Sequence, residues 1–321
     1  MVKQRENSDG SVCDVNLGGW RLQDFDERDD KFRFCVPVGS VALPRSVDLR
    51  KICSPVEDQG SLGSCTANMF AGMVEANAIK SGRVMAVVPA VATVGAVFRV
   101  LWDRVRSWLG FGRKSESLVD DVNVVTSKLG SKVVHVSRLF HYYATRILEG
   151  TTAFDSGATI RNAIKAGVLY GVTDEVAYPY VISKFTTKPP VTIWDAAAKN
   201  KVTSYHAIKS GDIASMKTAL VGGSLVGFGF RVYDAFLSGA VARSGMLCRP
   251  KSTEKLHGGH AVALVGYDDS KVMPDGSKGA FLVRNSWGAS WGLGGYFWMS
   301  YNYVSDKNLC FDFWVVVSTP I

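Results

Sequence analysis

The sequence predicts an α+β fold in which a helical lobe and a β lobe face each other across a cleft. Three observations carry this expectation. Apolar residues recur at helical spacing through the first half of the chain. The second half breaks into short β-branched and aromatic runs divided by Gly and Asp turns. With 47% apolar and 21% charged residues among 321, the chain can build a sizeable core and is too weakly charged to be generally disordered.

Residues 1–42 read as a polar arm, with Asp and Arg interleaved around Trp20, Phe25, Phe32 and Phe34: aromatics to dock, but no core of their own. Its start, MVKQRENSDG, lacks the apolar segment of a secretory signal, and no charge-free stretch is long enough for a clear membrane-spanning helix. An intracellular or virion-associated place is therefore expected over classical secretion. The domain proper is expected over 43–321, opening with the extended, Pro-started LPRSVDLR. A helix is expected from about Cys65 to Lys80, with Met69, Met73, Ala76 and Lys80 on one face.

Residues 81–136 read as a basic, amphipathic insertion. Val94, Val97, Phe98, Leu101, Trp102, Val105, Trp108 and Leu109 fall at helical spacing, and Ser81–Ser115 holds six basic residues against one acid. That is most of the net charge of +8. The segment 84–114 fits a helical hairpin packed on its own lobe, or a helix lying on an anionic membrane surface; the packed hairpin is the commoner arrangement. Without an aromatic platform or recognised motif, the arginines do not point to nucleic acid. Helices over Ser137–Leu148 and Asp155–Ala166 follow. After TTKPP, the runs VGFGFRV, GHAVALVGY, GAFLVRNSW and GYFWMSY read as strands.

Three motifs carry chemistry. In VEDQGSLGSCTANMFAG, a Gly-rich loop ends at Cys65 where a helix begins, and the positive end of the helix dipole favours a thiolate there. In GGHAVALVGYDD, His260 opens an apolar strand behind two glycines, while His257 reads as a loop residue. In RNSWGASWG, Asn285 ends a strand, and an amide there can fix the tautomer of an imidazole. The other five cysteines (Cys13, Cys35, Cys53, Cys248 and Cys310) show no Cys-x-x-Cys pair. They read as small buried residues rather than a zinc site or a disulfide scaffold.

The order Cys, His, Asn, with Gln59 six residues before Cys65 and with Asn-Ser-Trp-Gly, resembles the papain-like cysteine peptidases. LPRSVDLR, SRLFHYY, DSGATIR and RNSWGASWG look most like their disulfide-poor branch in bacteria, archaea and viruses. The resemblance implies a two-lobed papain-like fold whose β lobe is antiparallel and barrel-like. It implies that Cys65 is the nucleophile, His260 its base, Asn285 the orienter and Gln59 an oxyanion donor. Gly157 would contact substrate backbone, and Trp287 would cover the Asn–His bond and border the substrate. The implied activity is hydrolysis of peptide or protein substrates through a thioester, with no metal and no organic cofactor. A thioester-based ligase or transamidase, or a silent binding module on the same fold, are the alternatives.

The chain departs from the family pattern in three places. Leu62 stands where secreted members carry a disulfide cysteine, and Thr66 replaces the aromatic after the nucleophile. His260 lies 195 residues after Cys65, against about 130–150 in the family signature, and the 81–136 insertion accounts for most of the excess. The arm is expected either to occlude the cleft, as a short prosegment, or to brace the β lobe.

Overall fold

The computed structural model describes residues 2–24, 26, 42–82 and 135–318. The expectations for segment 84–114, with Trp102 and Trp108, and for Phe25, Phe32, Phe34 and Cys35, lie outside the described residues.

The arm starts as an antiparallel hairpin, β1 (Val2–Glu6) and β2 (Val12–Asn16), in register from Val2↔Asn16 to Glu6↔Val12. It was expected to lack a core, yet it feeds one: Val15 and Leu17 are buried in the main β-lobe cluster. A short strand, β3 (Ser46–Asp48), follows within LPRSVDLR.

Helix α1 (Cys65–Lys80) has the expected bounds but not the expected single apolar face. Every residue from Cys65 to Ala78 is buried, as happens when a helix lies between two layers rather than on a surface. One side places Met69 and Met73 over Gly227; the other stacks Phe70 on His141, ring centroids 4.0 Å apart. Helix α2 (Arg138–Glu149) is capped by the Ser137 hydroxyl, which accepts from the Phe140 N–H, and is closed by Gly150 in the left-handed region. Helix α3 (Ile160–Leu169) begins five residues later than expected, because Gly157 at φ +65° breaks the helical path and Thr159 supplies the cap. Helix α4 (Val191–Ala197) sets Trp194 edge-on to Phe140 at 4.7 Å and completes the helical lobe.

The β lobe runs through β4 (Ser204–Ile208), α5 (Ile213–Val221), β5 (Val226–Tyr233), α6 (Asp234–Leu237), α7 (Gly239–Ser244) and β6 (Met246–Leu247). It continues with β7 (Leu256–Val272), β8 (Lys278–Arg284), β9 (Tyr296–Ser300), α8 (Tyr301–Val304) and β10 (Cys310–Ser318). The strand order is β4-β10-β5-β7-β8-β9-β6, with β3 also on β7. All these pairings are antiparallel except β6 with β9, so the expected antiparallel lobe carries one parallel edge pair.

Alternation along β7 sorts the two faces of the sheet. Val262 and Leu264 join the β-lobe core of Phe228, Phe230, Trp291 and Phe297. Ala261, Ala263 and Val265 face α1, where small side chains let the helix approach. Of the five cysteines read as buried, Cys310 is; Cys13, Cys53 and Cys248 are half-buried, and all four are free thiols.

Candidate active site

Two chain segments are zipped together to build the site. The Gln59 N–H donates to the Ser286 carbonyl at 2.9 Å, the Gly288 N–H to the Glu57 carbonyl at 3.0 Å, and Asp58 bridges Trp287. The loop that leads into Cys65 is thereby tied to the loop that leaves β8. Gln59 is held at both ends of its amide: Nε2 donates to the Leu62 carbonyl at 2.9 Å, and Oε1 accepts from the Ser286 hydroxyl at 2.7 Å. One Nε2 hydrogen is left over. Nothing in the sequence marked Ser286 for this role, since its partner lies 227 residues away.

His260 lies within β7, which begins earlier than the sequence suggests, so His257 is also a strand residue and pairs with Asp234. The His260 Nε2 is 2.8 Å from Asn285 Oδ1, and that oxygen also accepts the Ser286 N–H at 2.8 Å. A twice-used acceptor requires the proton on Nε2, which leaves Nδ1 as the basic nitrogen; Nδ1 has no hydrogen-bond partner. Trp287 lies against the imidazole, 5.0 Å between centroids at 28°, and is itself fully buried among Phe236 and Trp291. Cys65 starts α1, and its sulfur is in reach of the backbone amide of Ala261, the residue after His260. The structure thus brings Cys65, His260, Asn285 and Gln59 into one neighbourhood, with Trp287 as a cover.

This neighbourhood is dry. Burial pushes the Cys65 thiol up to about 12. Burial, with Arg5 adding to it, pulls His260 down to about 4. Both groups are therefore neutral near pH 7.

The arm is what dries it. The Leu17 carbonyl accepts from the Gly259 N–H at 2.9 Å on the β lobe. Across the cleft, the Gly19 carbonyl accepts from the Ala158 N–H, and the Arg21 N–H donates to the Ala158 carbonyl, both at 3.0 Å. Gly19 lies directly on the thiol: a Cβ there would sit 2.8 Å from Cys65 Sγ. Gly157 contacts arm backbone, and any side chain on it would overlap the Gly18 carbonyl. The Trp20 ring fills the space left by Gly229 and Gly259, stacks on Phe311 at 5.9 Å, and donates from Nε1 to Asp312 at 3.2 Å. Asp312, a non-glycine residue with positive φ (56°), sits in a bulge of β10 that aims it at the arm. On the opposite flank, Arg5 from β1 lies 5.0 Å over the Trp287 ring and donates to the Trp287 carbonyl.

A second polar cluster lies behind the site. Glu57, Glu75 and His135 present ligand atoms within 4.8 Å of one another. Both carboxyls are pushed up to about 7, chiefly by burial. Arg138 sits 3.1 Å from Glu57, and Glu75 accepts the Ser54 hydroxyl and the Val136 N–H. Oxygens of both carboxyls thus already have protein partners, an ion pair on Glu57 and two neutral donors on Glu75.

Comparison with known proteins places the chain in a family. The profile described as Papain family cysteine protease matches residues 151–311, a span that includes His260 and Asn285. The solved structure of xylellain, a cysteine protease from Xylella fastidiosa, superposes with a TM-score of 0.70 at 30% identity, over 98% of both chains. Bromelain from Ananas comosus shares the fold at a TM-score of 0.54 and 19% identity, over 86% of this chain and all of its own. An uncharacterised peptidase C1-like protein of Acanthamoeba polyphaga mimivirus is 42% identical over 194 residues, 58% of this chain and 60% of that protein. The chain thus spans less than two thirds of this viral relative. The bacterial and viral likenesses also match the branch that the motifs suggested. The chain belongs to the papain family of cysteine proteases.

Proposed function

We propose that the chain hydrolyses peptide bonds through a thioester acyl-enzyme on Cys65. One observation carries this reading most: His260 spends Nε2 on Asn285 and keeps Nδ1 free, beside a thiol at a helix start. Once the cleft is open to water, Nδ1 takes the Cys65 proton, and the helix dipole favours the resulting thiolate. The thiolate attacks the peptide carbonyl carbon. The oxyanion is received by the spare Gln59 Nε2–H and the Cys65 N–H. The imidazolium then protonates the leaving amine. Water, deprotonated by the same nitrogen, cleaves the thioester and restores the thiol.

In the full chain the arm plugs this cleft, because Gly19 occupies the space above Cys65 that a scissile carbonyl needs. Peptide hydrolysis is expected after the arm is displaced. Cys65→Ala is expected to abolish it, assayed with a fluorogenic peptide mixture; turnover that persists in Cys65→Ala would overturn the reading.

A further inference from the structure

The arm reaches the helical wall of the cleft with one side chain. Asn16 Nδ2 donates to Asp155 Oδ2 at 2.7 Å. Asp155 also accepts the Gly63 N–H, at 3.0 Å on Oδ2 and 3.2 Å on Oδ1, and the Tyr142 hydroxyl. Gly63 is two residues before Cys65, and the point where a Gly19 Cβ would lie is 2.9 Å from its backbone carbon. Asp155, Asn16, Gly63, Gly19 and the Cys65 sulfur therefore form one continuous contact. The three donors to Asp155 are neutral, and among the described residues neither lysine nor arginine forms an ion pair with it. Arg146 is close enough to sense its charge, but spends its guanidinium on the carbonyls of Thr151, Thr152, Phe154 and Phe185.

We propose that Asp155 selects the substrate residue whose carbonyl is attacked, favouring a side chain that donates hydrogen bonds: Lys, Arg, Asn or Gln. The inference rests on the peptidase reading above. When the arm leaves, Asp155 keeps the Gly63 and Tyr142 bonds, which belong to the wall, and loses the Asn16 amide. Of all substrate side chains, that of the attacked residue passes nearest Gly63, since its α-carbon is bonded to the carbon that joins Sγ. An apolar or acidic side chain there leaves a half-buried carboxylate short of a donor or facing a like charge. A donating side chain replaces Asn16 like for like, and a cationic one makes the stronger charge-assisted bond.

The test is a positional scan of fluorogenic peptides varied at the attacked residue. The full chain would carry Gly19→Ala and Trp20→Ala to undock the arm, alone and combined with Asp155→Asn or Tyr142→Phe. An epoxysuccinyl peptide probe run in parallel reports whether Cys65 reacts. The expected result is kcat/KM about tenfold or more higher for Lys, Arg, Asn and Gln than for Leu or Glu. Asp155→Asn should collapse the Lys-to-Leu ratio, and Tyr142→Phe, which leaves the carboxylate in place, should preserve it. A flat or acid-preferring scan with Cys65 still labelled overturns the inference and leaves the peptidase reading standing. An unchanged ratio in folded Asp155→Asn does the same. Absence of labelling overturns both. The scan of the undocked parent decides the matter even if Asp155→Asn does not fold.

Discussion

At the scale of single residues, the four side chains proposed to carry the reaction could be singled out in the chain because each announces itself locally. Cys65 follows a Gly-rich loop at a helix start, His260 follows two glycines, Asn285 ends a strand, and Gln59 has its fixed distance from Cys65. The contacts around them could not be read, because the partners are distant in sequence: Ser286 on Gln59, Arg5 on Trp287, Asn16 on Asp155. Gln59→Ala, measured in the undocked chain, is expected to lower kcat by about 10²–10³ with KM little changed. The protonation states give a second prediction. In the closed cleft the Cys65 thiol is held up to about 12 and His260 down to about 4, so the pair keeps a single proton, on sulfur, across that range. In the open cleft the same proton sits on Nδ1, so opening takes up no proton between about pH 5 and 8. Above pH 9 the closed pair still holds the proton that the open pair loses, so rising pH favours opening. Hydrogen exchange of the residue 17–21 amides, corrected for intrinsic rate, should be level from pH 5 to 8 and speed up above pH 9; protection that stays level from pH 8 to 10 would contradict this.

At the scale of elements, α1 joins the lobes. Its bounds were legible from spacing, but its burial on all sides was not, because small residues on its far faces say nothing of what packs there. Phe70 is fully buried between His141 and the close-packed backbone of α3 at Gly167. Phe70→Ala is expected to cost about 3–5 kcal/mol in urea unfolding. The late start of α3 and the β1–β2 hairpin both escaped the pattern, for a common reason: each lies where the arm meets the rest of the chain. Gly157 takes its left-handed turn against Gly18, and the hairpin's Val15 finds its core only on the β lobe. Gly19→Ala should undock the arm without cleavage. Overpacking of about 1–3 kcal/mol corresponds to a rise of roughly 5- to 150-fold in the open population, read as the rate of Cys65 alkylation at neutral pH. An unchanged rate would mean that the arm does not gate the thiol.

At the scale of the whole molecule, the two-lobed division was visible in the change of texture from helical to β-like runs. The state of the cleft was not, since closure is made by backbone hydrogen bonds from Leu17, Gly19 and Arg21 that leave no trace in side-chain pattern. The same chain supplies both the proposed reactive constellation and the segment that covers it. Mass-spectrometric mapping of an epoxysuccinyl peptide probe tests this pairing most directly, on the intact chain, on the chain with Gly19→Ala and Trp20→Ala, and on that chain with His260→Ala. The expected result is slow labelling of the intact chain, fast labelling confined to Cys65 in the undocked chain, and its loss without His260. Equal labelling of intact and undocked chains, or an adduct on another cysteine, would contradict the account.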